Sequence, residues 1–86
     1  MQCDIKIDFS IEIRDLIMLS NKITALISNK VYISKNNDNR HADFHSTLGL
    51  LSLDLEQGDT VNINVLCGSE RDMGVIKDLF NEIKNK

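Results

Sequence analysis

Between Cys3 and Ile13 the chain alternates without a slip. Cys3, Ile5, Ile7, Phe9, Ile11 and Ile13 are apolar, and Asp4, Lys6, Asp8, Ser10 and Glu12 between them are polar. Successive side chains of an extended strand point to opposite faces, so this stretch predicts a half-buried strand and a sheet with one wet face. The period then changes. Leu16, Leu19, Ile23, Leu26 and Ile27 fall at helical spacing, which predicts a first helix over Leu16–Ile27 with Asp15 placed to cap the exposed amides of its first turn.

The remaining chain repeats this switching of period. Lys30–Lys35 reads as a second strand with Val31 and Ile33 inward, and Asn36-Asn37-Asp38-Asn39 supplies turn-tolerant residues for a hairpin. Arg40–Phe44 reads as a third strand at a sheet edge, with Ala42 and Phe44 inward and His41, Asp43 and His45 outward. A short helix over Ser46–Leu53 and a turn at Glu56-Gln57-Gly58-Asp59 lead into a fourth strand, Thr60–Leu66, where Val61, Ile63 and Val65 alternate with Asn62 and Asn64. Ser69-Glu70-Arg71-Asp72 fits a capping box, and Met73, Ile76, Leu79, Phe80 and Ile83 form one stripe of a C-terminal helix. The order βαββαβα predicts an α+β fold with three helices on one face of a four-stranded antiparallel sheet, a pattern shared with ferredoxin-like relatives.

Eighty-six residues make one domain, 1–86, which at this size buries roughly 60% of the unfolded chain's surface. Any site therefore lies at the surface or at the end of an element. With a net charge of -3 and four aromatic residues, Tyr32 and three phenylalanines, the chain offers neither a basic stripe nor a stacking platform, so no nucleic acid is expected as partner. Met1-Gln2-Cys3-Asp4 has no basic start, and no apolar run is long enough to cross a bilayer, so we expect a cytoplasmic protein without a membrane partner. Cys3 and Cys67 read as free thiols in a reducing compartment, with a bridge left open because the first and last strands can pair. His41 and His45 read as solvated edge residues, too far apart along a strand to share a metal, and no metal, cofactor or independent catalysis is expected.

The run His45-Ser46-Thr47-Leu48-Gly49-Leu50-Leu51-Ser52-Leu53, followed by Gly58-Asp59, resembles the regulatory serine segment of HPr, the histidine-containing phosphocarrier of the bacterial sugar phosphotransferase system. The resemblance covers the whole chain. It implies an open-faced sandwich in which the first strand neighbours the fourth and the second pairs with both third and fourth. It also implies that Asp15 occupies the place of the family's phosphoryl-accepting histidine, with Leu16, Ile17 and Met18 after it in place of Ala-Arg-Pro. Ser46 falls at the serine modified by HPr kinase/phosphorylase, His45 at a position where the family usually carries a basic residue, and Thr47 where it usually carries an apolar one.

In the HPr arrangement Ile17, Met18, Leu48 and Leu51 would converge with Thr47 on an exposed apolar surface that docks proteins: enzyme I, permease domains, the kinase and a transcription regulator. The expected protein is a monomer of this type that regulates by docking, with Ser46 as a phosphorylation site, and does not relay phosphate. Two alternatives stay open: a phosphoryl carrier using Asp15 or another acceptor, or a small interaction or ligand-binding module of ferredoxin-like topology.

Overall fold

In β4, the strand running from Thr60 to Val65, Val61, Ile63 and Val65 are fully buried while Thr60, Asn62 and Asn64 are half-buried. The computed structural model describes residues 1–35, 40–68 and 70–86. In chain order the elements are β1 (Gln2–Lys6), α1 (Ile13–Leu26), β2 (Val31–Lys35), β3 (His41–Asp43), α2 (Thr47–Ser52), β4 and α3 (Glu70–Lys84). The sheet runs β1-β4-β2-β3, antiparallel throughout. That is the order the HPr resemblance implies, and it removes the ferredoxin-like alternative.

Register follows the pleat. Ile63 stands between Cys3 and Ile33, and Ile33 opposes Ala42, so one row of small and branched apolar side chains crosses the buried face. Asn62 stands between Asp4 and Ser34, and Ser34 opposes His41, giving the matching polar row on the other face. Leu16, Leu19 and Ile23 of α1, Leu50 of α2, and Met73, Ile76, Leu79, Phe80 and Ile83 of α3 join the apolar row in a single core. Phe44 has no exposed surface and meets Phe80 edge to face, with ring centroids 6.3 Å apart.

Several expected boundaries shift, each for a local reason. The first strand stops at Lys6 rather than Ile13, because its partner β4 begins at Thr60 and the chain beyond Ile7 has no strand left to pair with. The alternation continues as packing alone: Ile7 is buried, Phe9 and Ile11 are half-buried, and Ile13 is 66% exposed as the first residue of α1. Leu26, expected in the core stripe, is exposed, because α1 ends there and Ile27 takes the last core position in an extended conformation. The third strand shortens to His41–Asp43, although Ala42 and Phe44 point inward as expected. The proposed turn at Asn36–Asn39 and the serine of the capping box, Ser69, lie outside the described residues. Cys3 opposes Ile63 while Cys67 lies beyond the end of β4, so the two thiols are free and the disulfide alternative falls.

Asp15 also moves. It is not the residue before the helix but the third inside it; Glu12 precedes α1, and the Asp15 carboxylate accepts the Glu12 N–H at 2.9 Å. Both carboxylate oxygens also accept from Lys86 Nζ, at 2.5 and 2.6 Å, which ties the chain beyond α3 to the start of α1. Burial disfavours the charged carboxylate, but the Lys86 hydrogen bonds, the Glu12 amide and the positive charges of Lys86 and Arg14 outweigh it and hold the pKa below the ordinary 3.8. The folded protein therefore binds this proton more weakly than the unfolded chain. The resulting stability is complete above the ordinary carboxylate range and is lost as pH falls through the lowered folded value.

Three substitutions check this account by urea unfolding. Phe44→Ala is expected to cost about 3 to 5 kcal/mol through lost burial and a cavity, whereas Leu48→Ala at an exposed position changes stability by less than about 0.5 kcal/mol. Asp15→Asn is expected to cost about 1 to 2 kcal/mol at neutral pH. The gap from the parent protein should close as melts are repeated at pH values progressively below 3.8; a gap independent of pH contradicts the ion-pair account.

Candidate functional site

The residues that the sequence pattern singles out lie around the packed pair α1 and α2. Ser46 ends the connection from β3 in an extended conformation, and its Oγ accepts the Gly49 N–H at 3.1 Å, which makes it the N-cap of α2. The residue is exposed, while Leu50 one turn on is fully buried and holds the short helix to the core. Gly49 allows this close seat: a Cβ there would stand 3.2 Å from Ser46 Oγ and 3.5 Å from Ala42 Cβ.

Thr47 has a specific partner. Its hydroxyl donates to Ser20 Oγ at 3.1 Å, and Ser20 is a buried polar residue on the inner side of α1. The pair explains how a threonine serves at a position where an apolar residue was the expectation from resemblance: the hydroxyl that would otherwise be stranded meets another, and the two helices gain a directional contact. Ser20 was legible in outline, since it falls on the same stripe as Leu16 and Ile23. Its partner was not.

His45 departs from the expected solvated edge position. It lies beyond β3, half-buried, with Nε2 2.9 Å from the Asn29 carbonyl oxygen and Nδ1 3.3 Å from Thr24 Oγ1. Its own N–H donates to Asp43 Oδ1 at 2.9 Å. Asn29 in turn donates from Nδ2 to Asp72 Oδ2 at 3.0 Å, linking the loop after α1 to the first turn of α3. The imidazole thus brackets the residue before Ser46 against the end of α1, a positioning role that neither Thr24 nor Asn29 signalled in sequence. His41, by contrast, is exposed on β3.

The apolar candidates divide. Leu48 is 81% exposed and Ile17 39%, whereas Met18 and Leu51 are half-buried and pack against the core. Leu51 joins Ile11, Ile13 and Leu16 around a notch of about 160 Å³ between the start of α1 and the end of α2, with Glu12 and Asp54 also lining it. Ile13 was not expected at this surface. Asp15 stands beside this region with its carboxylate held ionised, only 8% of its side chain exposed, and both oxygens occupied by Lys86. Both oxygens of this group are hydrogen-bonded, and little of it faces solvent. Among the described residues no cluster of three or more His, Cys, Asp or Glu side chains is placed to hold a metal ion.

No family model matches the chain, and no curated protein matches it. Solved structures do. HPr-C-His from Thermoanaerobacter tengcongensis superposes with a TM-score of 0.81 at 19% identity, over 100% of this chain and 97% of that one. The phosphocarrier protein HPr from Bacillus anthracis str. Ames superposes with a TM-score of 0.76 at 16% identity, over 92% of this chain and 94% of that one. Strand order, helix placement and superposition over nearly the full length agree: the chain carries the fold of the HPr phosphocarriers.

Proposed function

We propose that this protein is a docking and regulatory member of the HPr type, with Ser46 as its phosphorylation site, and not a histidine phosphoryl carrier. The observation that carries this reading is the state of Asp15. At the start of α1, where the resemblance puts the carrier histidine, stands a carboxylate committed to Lys86 and to the Glu12 amide. An acyl phosphate on Asp15 would first have to break that pair, and no metal-binding cluster among the described residues would offset its charge. His41 and His45, the two histidines of the chain, lie on β3 and just after it, away from the start of α1.

The regulatory half rests on Ser46 and its surroundings. An exposed hydroxyl at the N-cap of α2 is accessible to a kinase, and a phosphate there would meet the free amides of the first turn. It would also place close to two negative charges one residue from Thr47 and two from the exposed Leu48, converting an apolar contact surface into a charged one. Ile17, Met18, Thr47, Leu48 and Leu51 are the residues proposed to meet a partner. The partner classes are a phosphotransferase-system enzyme I or permease domain, HPr kinase/phosphorylase, or a transcription regulator, in the cytoplasm.

Incubation with phosphoenolpyruvate and enzyme I is expected to leave the protein unmodified, and stoichiometric phosphate on Asp15, His41 or His45 overturns the non-carrier reading. With HPr kinase/phosphorylase and ATP, mass spectrometry is expected to place one phosphate on Ser46, and Ser46→Ala to take none. Leu48→Asp is expected to slow that phosphorylation about tenfold without changing the melting temperature, and an unchanged rate removes Leu48 from the docking surface.

A further inference from the structure

The edge of the sheet farthest from β3 carries a second feature, independent of the α1 and α2 face. β1 is a terminal strand, so among the described residues no strand pairs with one of its two sides. Val65 N–H donates to Met1 O and Ile7 N–H to Asp59 O, both at 2.8 Å, which identifies the residues that bond across to β4. Hydrogen-bonded and non-bonded pairs alternate in an antiparallel ladder, so Cys3 and Ile5 also turn their backbone groups to β4. Gln2, Asp4 and Lys6 turn theirs outward. Among the described residues the contact to this outward row is the Cys3 thiol, 3.4 Å from the Asp4 carbonyl oxygen.

A groove runs beside this row. Two depressions of about 330 and 360 Å³ lie between β1 and α3, and they share Cys3 and Lys77. Ile5, Phe9 and Phe80 line the first, and Met73 lines the second, while Cys3, Ile5 and Phe9 are only half-buried. Charged groups facing the first depression are Lys6, Lys77 and Lys84 against Asp4 and Asp8; Glu70 borders the far end of the second. Asp8 is paired with Lys84 at 3.4 Å and Asp4 accepts the Asn62 amide at 2.9 Å. Lys77 has no carboxylate within ion-pair distance among the described residues, so the stretch where the two depressions meet holds an unanswered positive charge inside a protein of net charge -3.

We propose that this groove takes an extended acidic segment of a protein partner, added to β1 as a fifth strand. Backbone groups of Gln2, Asp4 and Lys6 supply the ladder, the half-buried apolar residues seat side chains on the helix side, and Lys77 meets an acidic side chain. Main-chain pairing provides affinity with little sequence demand. The lysine and the apolar floor supply the selection.

The test uses the whole protein and a capped peptide of mixed valine and glutamate residues, with its valine and lysine counterpart as control. Titration followed by amide NMR is expected to give saturable shifts along β1, with slowed hydrogen exchange at Gln2, Asp4 and Lys6. Lys77→Glu is expected to weaken the glutamate peptide about tenfold, about 1.4 kcal/mol, and the lysine peptide is expected not to bind. Asp4→Pro removes one outward N–H and keeps every backbone bond to β4, losing there only the exposed side-chain bond to Asn62; it is expected to abolish binding, whereas Asp4→Ala, which loses the same side-chain bond and keeps the N–H, is expected to bind as the parent does. Equal binding of both peptides, protection confined to other strands, absence of saturation below about 1 mM, or pairing of β1 with a second copy of the chain each overturns the proposal.

Discussion

The central position of β4 is the constraint on which the molecule is organised. It pairs with β1 on one side and β2 on the other, and its three inward residues lie at zero exposure beneath the helices. A central strand cannot slip by one residue without turning its whole apolar set to water, so the register of the entire sheet is set by Val61, Ile63 and Val65. Helices can then cover only one face, and the opposite face must be polar. Asn62, Asn64, Ser34 and Asp4 meet that demand in adjoining strands.

Covering one face with three helices brings their ends together at the perimeter, and side-chain hydrogen bonds tie those ends there. Ser46 caps α2, Asp15 anchors the start of α1, and the Asn29 side chain and the His45 imidazole join the end of α1 to its neighbours. The Lys86 ion pair has a double consequence. It steadies α3 against α1, and it occupies both oxygens of the Asp15 carboxylate. A partly buried pair with one exposed member contributes modestly to stability.

Much of this was legible in the residues. The alternation in β4 and the stripe of α3 are long and regular, and both elements stand where the pattern puts them. The alternation from Cys3 to Ile13 misled beyond Lys6, because periodicity reports which side chains are buried and says nothing about whether a partner strand exists to receive the backbone. Ile7, Phe9 and Ile11 do pack inward, so the burial was read correctly and the pairing was not. Ser46 was readable as a cap because its hydrogen bond spans three residues.

Contacts across long sequence separation left no comparable trace. Lys86 and Asp15 are 71 positions apart, Asn29 and Asp72 43, and Thr47 and Ser20 27; in each case both residues are ordinary surface types until the fold presents one to the other. Burial pattern, element type and the apolar residues of α1 and α2 are local quantities, written in the spacing of residues and therefore readable from the chain. Strand order, the fate of the Asp15 carboxylate, the half-burial of His45 and the open edge of β1 are set by which elements become neighbours, and only packing the whole chain into one core decides that.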